Sequence, residues 1–281
     1  MRRFRDYPLY VNDASALQDL RRAGQASFAE VGDAVMVKYL DDLSAADERF
    51  AVAKIAAPGA DAVAYENAVC GLLAVIAGTR IGKLLLGALN PAIKVWIVPL
   101  SRPTQERCSC VGLTWRSRPS SGGGVLIRFL PGDVTGPSGD IFSPDDVLFH
   151  EMVHAYRIGF DERLDRKEKN TPMADDKDLA EFFAHHMQNV YLSQRNSPHF
   201  YKSYLNARSA SRATLYTDFV DNEEVLRGLK YFLRFDPLTR DVAEWHGLGE
   251  DFNPWRDFRA LQDEFLRRHP EKGPSIIPMH S

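Results

Sequence analysis

Cysteine is scarce: there are 3 in 281 residues, Cys70, Cys108 and Cys110, two of them in a tight Cys-Ser-Cys. An odd count at that spacing makes neither a disulfide framework nor a cysteine zinc site, and it favours a reducing compartment. An excess of basic residues is also missing. Lys and Arg number 35 against 38 Asp and Glu, a formal charge of −3, so electrostatics supply no reason to expect nucleic acid or an anionic membrane as a partner. The early basic residues of MRRFRDYPLYVNDAS are followed by no apolar run, so a cleaved secretory signal is not expected. The most apolar stretch, AVCGLLAVIAG followed by TRIGKLLLGAL, is interrupted by Arg80 and Lys83, short of the roughly 20 apolar residues of a membrane span. A buried helix with a break near Gly78 is the expectation there.

What is present is the balance of a globular protein, 44% hydrophobic and 26% charged, enough to bury a sizeable core. From residue 14 to about 90 apolar residues recur at helical spacing, as in ALQDLRRAGQASFAEVGDAVMVKYLDDL. KVWIVPL (94–100), CSCVGLTWRS (108–117) and GVLIRFLP (124–131) read as three strands, with SRPSSGGG as the loosest linker. GVLIRFLP reads as an edge strand. GDVTGPSGD is a turn-rich loop, DERLDRKEKNTPMADD a charged loop, and EEVLRGLKYFL and DFRALQDEFLRRH are helices before a tail, EKGPSIIPMHS, that frays. The order suggests an α+β fold, a small mixed sheet with helices around it. Residues 1–60 form an N-terminal helical region, 61–205 a core, and 206–281 a helical extension.

The most informative five letters are HEMVH, residues 150–154. The surrounding SPDDVLFHEMVHAYRIGF carries its own helix signals: Ser143 as N-cap, Pro144 at the first helical position, Asp145 and Asp146 at the positive end of the dipole, and Gly159 as C-cap. His150 and His154 are one turn apart on one face, so two imidazole nitrogens can reach one zinc ion at about 2.0–2.1 Å. Glu151 is offset around the helix. Zinc lowers the pKa of a bound water toward about 7, and Glu151 can take its proton and return it to a leaving amine. That is why the chemistry uses His, Glu and His at this spacing.

A catalytic zinc usually has three protein ligands. A histidine six residues after His154 is excluded, because Phe160 stands there, and Arg157 stands where the accompanying glycine would be. The helix DLAEFFAHHMQNVYLSQ supplies the candidates. Asp178, Glu181 and His185 share one face, while Leu179, Phe182, Phe183, Met187 and Val190 make an apolar one. Glu181, 27 residues after His154, is the expected third ligand. His185, one turn later, either holds a ligand position or orients a carboxylate from behind. The competing reading is a solvated polar face whose histidines are idle; His199, His246, His269 and His280 read as surface or fold residues in either case.

With these residues in place the chain resembles the gluzincin branch of zinc proteases, and more narrowly the NleD-like effector proteases of bacterial pathogens. The matching stretches are GTRIGKLLLGAL before KVWIVPL, then VLFHEMVHAYR, then EFFAHHMQNVY, over about residues 65–205. The resemblance implies a zincin-like fold, one catalytic Zn2+ held by His150, His154 and Glu181, and Glu151 as general base. It implies an endopeptidase aimed at host signalling proteins, secreted without a cleaved signal and acting in host cytoplasm, otherwise in the bacterial cytoplasm. It also implies a hydroxyl or cation at the oxyanion, for which Tyr191, Tyr201 and Tyr204 are candidates. A monomer with a protein substrate, no nucleic acid and no membrane span is expected. The alternatives are a zinc amidohydrolase acting on a non-protein amide and an inactive protease fold that binds a partner.

Overall fold

The computed structural model describes residues 2–3, 9–11, 60–99, 114–117, 124–129, 131, 134–135, 141–173, 176–197, 200–202, 209–245 and 252–272. The expected helices before residue 60, Cys108 and Cys110, most of the SRPSSGGG linker, Tyr204, His199, His246, His280 and the tail beyond 272 lie outside the described residues. The chain divides into two compact units: residues 1–78 with 85–162, and residues 79–84 with 163–281.

In the first unit the strands are β1 (Arg2–Arg3), β2 (Leu9–Val11), β3 (Lys94–Pro99), β4 (Thr114–Ser117) and β5 (Gly124–Phe129), hydrogen-bonded in the order β1-β2-β3-β5-β4. β3 and β5 are parallel, with Val95 opposite Val125 and Ile97 opposite Ile127, and all four side chains are buried. The alternation of a strand puts such residues on one face. GVLIRFLP is not an edge: β5 pairs with β3 on one side and antiparallel with β4 on the other. Within GDVTGPSGD, read as a loop, β6 (Val134–Thr135) pairs with β7 (Ile141–Phe142), which directly follows that loop.

Helix α1 (Ala60–Gly78) and helix α2 (Arg80–Ala88) break where Gly78 interrupts the apolar run. Val69, Leu73, Ile76 and Ala77 are core residues, and no single helix among the described residues is long and apolar enough to cross a membrane. Helix α3 (Pro144–Phe160) carries HEMVH and lies against β5, β4 and α1. Leu148, Phe149, Met152 and Val153 are fully buried, and Tyr156 nearly so. Pro144 takes the first helical position as expected, and the Ser143 hydroxyl donates to the Asp145 carboxylate rather than capping a backbone N–H. The C-cap is Asp161, not Gly159, which sits inside the last turn with its carbonyl accepting from Asn90 Nδ2 at 3.2 Å.

The second unit contains α4 (Glu162–Lys169, whose first residue closes the first unit), α5 (Leu179–Gln194), α6 (Arg212–Asp221), α7 (Glu223–Phe235), α8 (Pro237–Ala243) and α9 (Phe258–Arg268), with a short ribbon of β8 (Phe200–Tyr201) and β9 (Ser209–Ala210). The first half of the charged segment read as a loop is thus helix. A Cβ on Gly228 of α7 would stand 2.8 Å from Phe182 Cε1 and 3.2 Å from Met173 Cε, so glycine is what lets α7 approach α5 this closely. Phe182, Phe183, Phe232 and Trp255 fill the space, with the Phe183 and Phe232 rings stacked at 4.3 Å.

These packings correct the expected α+β class to a mainly helical one, in which the mixed sheet of short strands belongs to the first unit alone. Helix accounts for most of the described residues, while the strands run only two to six residues each. The physical reason is that the described segments from α4 onward bury their apolar stripes mainly helix on helix, beside the two-residue strands of the β8–β9 ribbon.

Candidate metal centre

The tertiary fold and the helical period act together on α3. Its apolar face is buried, so the motif residues are held by the packing of Leu148, Met152 and Val153. His150 is half-buried, Glu151 is 7% exposed and His154 5%. The two imidazoles meet edge to face, with ring centroids 4.8 Å apart, and their Nε2 atoms are 3.1 Å apart. Two nitrogens bound tetrahedrally to one zinc at about 2.0–2.1 Å stand about 3.3 Å apart. The pair therefore fits a shared ion with a shift of a few tenths of an ångström. Without an ion, one Nε2–H donates to the other nitrogen.

Glu181 stands in the first turn of α5, half-buried. Asp178 is the N-cap of that helix, and its Oδ1 accepts the Glu181 N–H at 2.9 Å. The start of α5 is thereby fixed immediately around Glu181, and a carboxylate in a first turn is favoured by the helix dipole. Asp178 accordingly serves as a cap rather than as a member of an open polar face.

His185 is not solvated either. It is 3% exposed, and its Nδ1 lies 3.3 Å from Asp176 Oδ1, itself 6% exposed. The ring also approaches that of Tyr201 at 5.7 Å. His186 is 1% exposed, set edge-on to Phe182 at 4.2 Å and to Phe219 at 5.1 Å. Burial first, and then the neighbouring His185, push its pKa down to about 3, against a smaller opposing effect of Asp176. The expectation of a solvated face with idle histidines is therefore corrected: both rings belong to the core of the second unit.

No protein-family model, curated protein or solved structure matches this chain.

The tyrosine candidates separate by burial. Tyr191 is 0% exposed, in the core, and Tyr204 lies outside the described residues. Tyr201 is half-buried, and its backbone is clamped on both sides by Asn189, which donates Nδ2 to the Tyr201 carbonyl at 2.8 Å and accepts its N–H on Oδ1 at 2.9 Å. Asp176 and Asn189 are the residues that the sequence reading passed over. Asn189, four residues after His185, repeats the polar positions of α5 and could have been found by that spacing; Asp176, in what reads as a loop, left no such signal.

Proposed function

We propose that the protein is a zinc-dependent endopeptidase with Glu151 as its general base. The observation that carries the proposal is the pair of imidazole nitrogens of His150 and His154, 3.1 Å apart on one turn of a packed helix, with the Glu151 carboxylate on the residue that follows His150. The resemblance adds Glu181, in the first turn of α5, as the carboxylate ligand beside this imidazole pair. The donor set of two imidazoles and one carboxylate is one that zinc accepts at a catalytic site, leaving a position open. When bound, zinc supplies Lewis acidity and makes water a nucleophile near neutral pH.

The chain's own residues account for the rest. Glu151 is buried enough to be shielded from bulk water, so its carboxylate is a poised acceptor for the proton of the attacking water. The same carboxyl group then gives the proton to the leaving amine nitrogen, which closes the proton balance of amide hydrolysis. The α3 backbone keeps Glu151 one residue from His150 throughout. A role as a bacterial effector acting on host signalling proteins is supported by the resemblance in VLFHEMVHAYR and EFFAHHMQNVY alone.

The test is metal content and peptide-bond cleavage measured side by side. Wild type is expected to carry about one zinc per chain and to cleave a protein substrate. Glu151→Gln is expected to keep the zinc and to lose about 100-fold or more in rate, and Glu181→Ala to lose the metal. A Glu151→Gln protein that cleaves at the wild-type rate removes Glu151 from the mechanism; wild type without zinc removes the metalloprotease reading.

A further inference from the structure

ERLDRKEK, residues 162–169, looks nearly charge-balanced, but the fold sorts its charges. Asp165 is 6% exposed and receives Lys169 Nζ at 3.1 Å. Glu168 is fully buried and accepts the Tyr231 hydroxyl at 3.2 Å. Arg163, Arg166, Lys167 and Lys169 are left exposed. The end of α7 repeats the sorting. Asp236 is fully buried as the cap of α8, accepting the Thr239 N–H at 2.8 Å, while Arg234 and Phe235 stay outside.

Where α4 and α7 meet, Lys167 Nζ stands 5.9 Å from the centre of the Tyr231 ring. The Tyr231 and Phe235 rings are 5.0 Å apart, and the Arg234 guanidinium is 5.1 Å from the Phe235 ring. Neither Lys167 nor Arg234 has a carboxylate partner among the described residues. Phe235 is 44% exposed, one of two large apolar side chains left so among the described residues. Lys230, on the same helix, has its amine held below the usual lysine range, by burial and then by the Arg234 charge. Cations gathered around one half-buried and one exposed ring are what a carboxylate from outside would relieve.

We propose that Lys167, Tyr231, Arg234 and Phe235 form a docking surface for an acidic segment of a partner protein, with carboxylates against Lys167 and Arg234 and an apolar side chain against Phe235. On the endopeptidase reading that partner is the substrate, although docking itself needs no catalysis. A protein segment fits better than the other polyanions. The chain's net charge of −3 opposes a long polyanion such as nucleic acid more than a short segment with a few carboxylates, and one exposed phenylalanine is too little apolar surface to hold a membrane.

The test uses the full chain and a fluorescein-labelled peptide of alternating glutamate and phenylalanine, read by fluorescence anisotropy. The peptide is expected to bind and to weaken as salt is raised. Its counterpart with glutamine for every glutamate, and the protein variant Lys167→Glu with Arg234→Glu, should each bind at least tenfold more weakly. Phe235→Ala should weaken binding several-fold, and Lys83→Glu, the same charge change at an exposed residue of α2, should leave it unchanged. Should charge reversal impair folding, Lys167→Gln with Arg234→Gln removes the charges instead. Equal binding by wild type and the double variant, or by the two peptides, overturns the proposal. So does tighter binding of phosphatidylserine vesicles or a single-stranded oligonucleotide than of the acidic peptide. Cleavage is not read, so failure of docking and failure of the endopeptidase reading are seen separately.

Discussion

The Nε2 atoms of His150 and His154 face each other at 3.1 Å across one turn of α3. Each is the atom farthest out on its ring, and the helix beneath them is anchored by fully buried Leu148, Phe149, Met152 and Val153. If the pair is a half-built metal site, His150→Ala and His154→Ala should each lower zinc affinity by more than the about 10–100-fold that supporting residues contribute. Competition with a chromophoric chelator measures this. A chelator should also lower the melting temperature of wild type, since a ligand at about 100 times its Kd stabilises by about 2.7 kcal/mol, and should leave the two variants unmoved.

The cap of α5 provides a second test. Asp178 accepts the Glu181 N–H at 2.9 Å, so Asp178→Ala should destabilise the fold by about 1 kcal/mol, and Asp178→Ser should retain most of that. Denaturant unfolding of the metal-free protein reads the difference. Equal loss in the two variants would mean that the carboxylate does something other than cap.

Gly228 sets the contact of α7 with α5. Alanine is the better helix former by about 1 kcal/mol, yet its Cβ would stand 2.8 Å from Phe182 Cε1 and 2.9 Å from Cζ. Overpacking costs about 1–3 kcal/mol, so Gly228→Ala should be net destabilising in thermal unfolding. A stabilised variant would show that Phe182 moves aside freely.

His186 makes acid unfolding steeper. Its folded pKa is pushed from 6.5 down to about 3 by burial and by His185, so between those values the unfolded chain carries a proton that the folded chain refuses. Stability from this residue is full above pH 6.5 and is lost as pH falls toward 3, at up to about 1.4 kcal/mol per pH unit. His186→Leu should flatten the dependence of unfolding free energy on pH across that window. An unchanged slope would mean that the ring protonates in place.

Much of α3 was legible beforehand. Pro144 at its first position and apolar residues at helical spacing are local signals, and local backbone preferences suffice to start a helix there. The break at Gly78 and the strands at 94–99 and 124–129 were similarly readable, from composition over a few residues. The misses have a common cause. GVLIRFLP reads as an edge strand until β4 is seen to pair with it, and Gly159 reads as a stop until Asn90, 69 residues away, is found on its carbonyl. The helix α4 was hidden by its charges, because a sequence does not say which acids a neighbouring helix will cover.

Residue spacing alone therefore determined that His150, Glu151 and His154 share one helical neighbourhood, since a 3.6-residue period leaves His150 and His154 one turn apart in any surroundings. Which residues the interior would take was decided by tertiary packing. Asp176 came to His185, Glu168 came to Tyr231, and Lys167 and Arg234 were left outside. The reason is desolvation: a buried charge or imidazole is tolerated only where its partners or its neutral form allow it, and those partners come from segments far away in the chain.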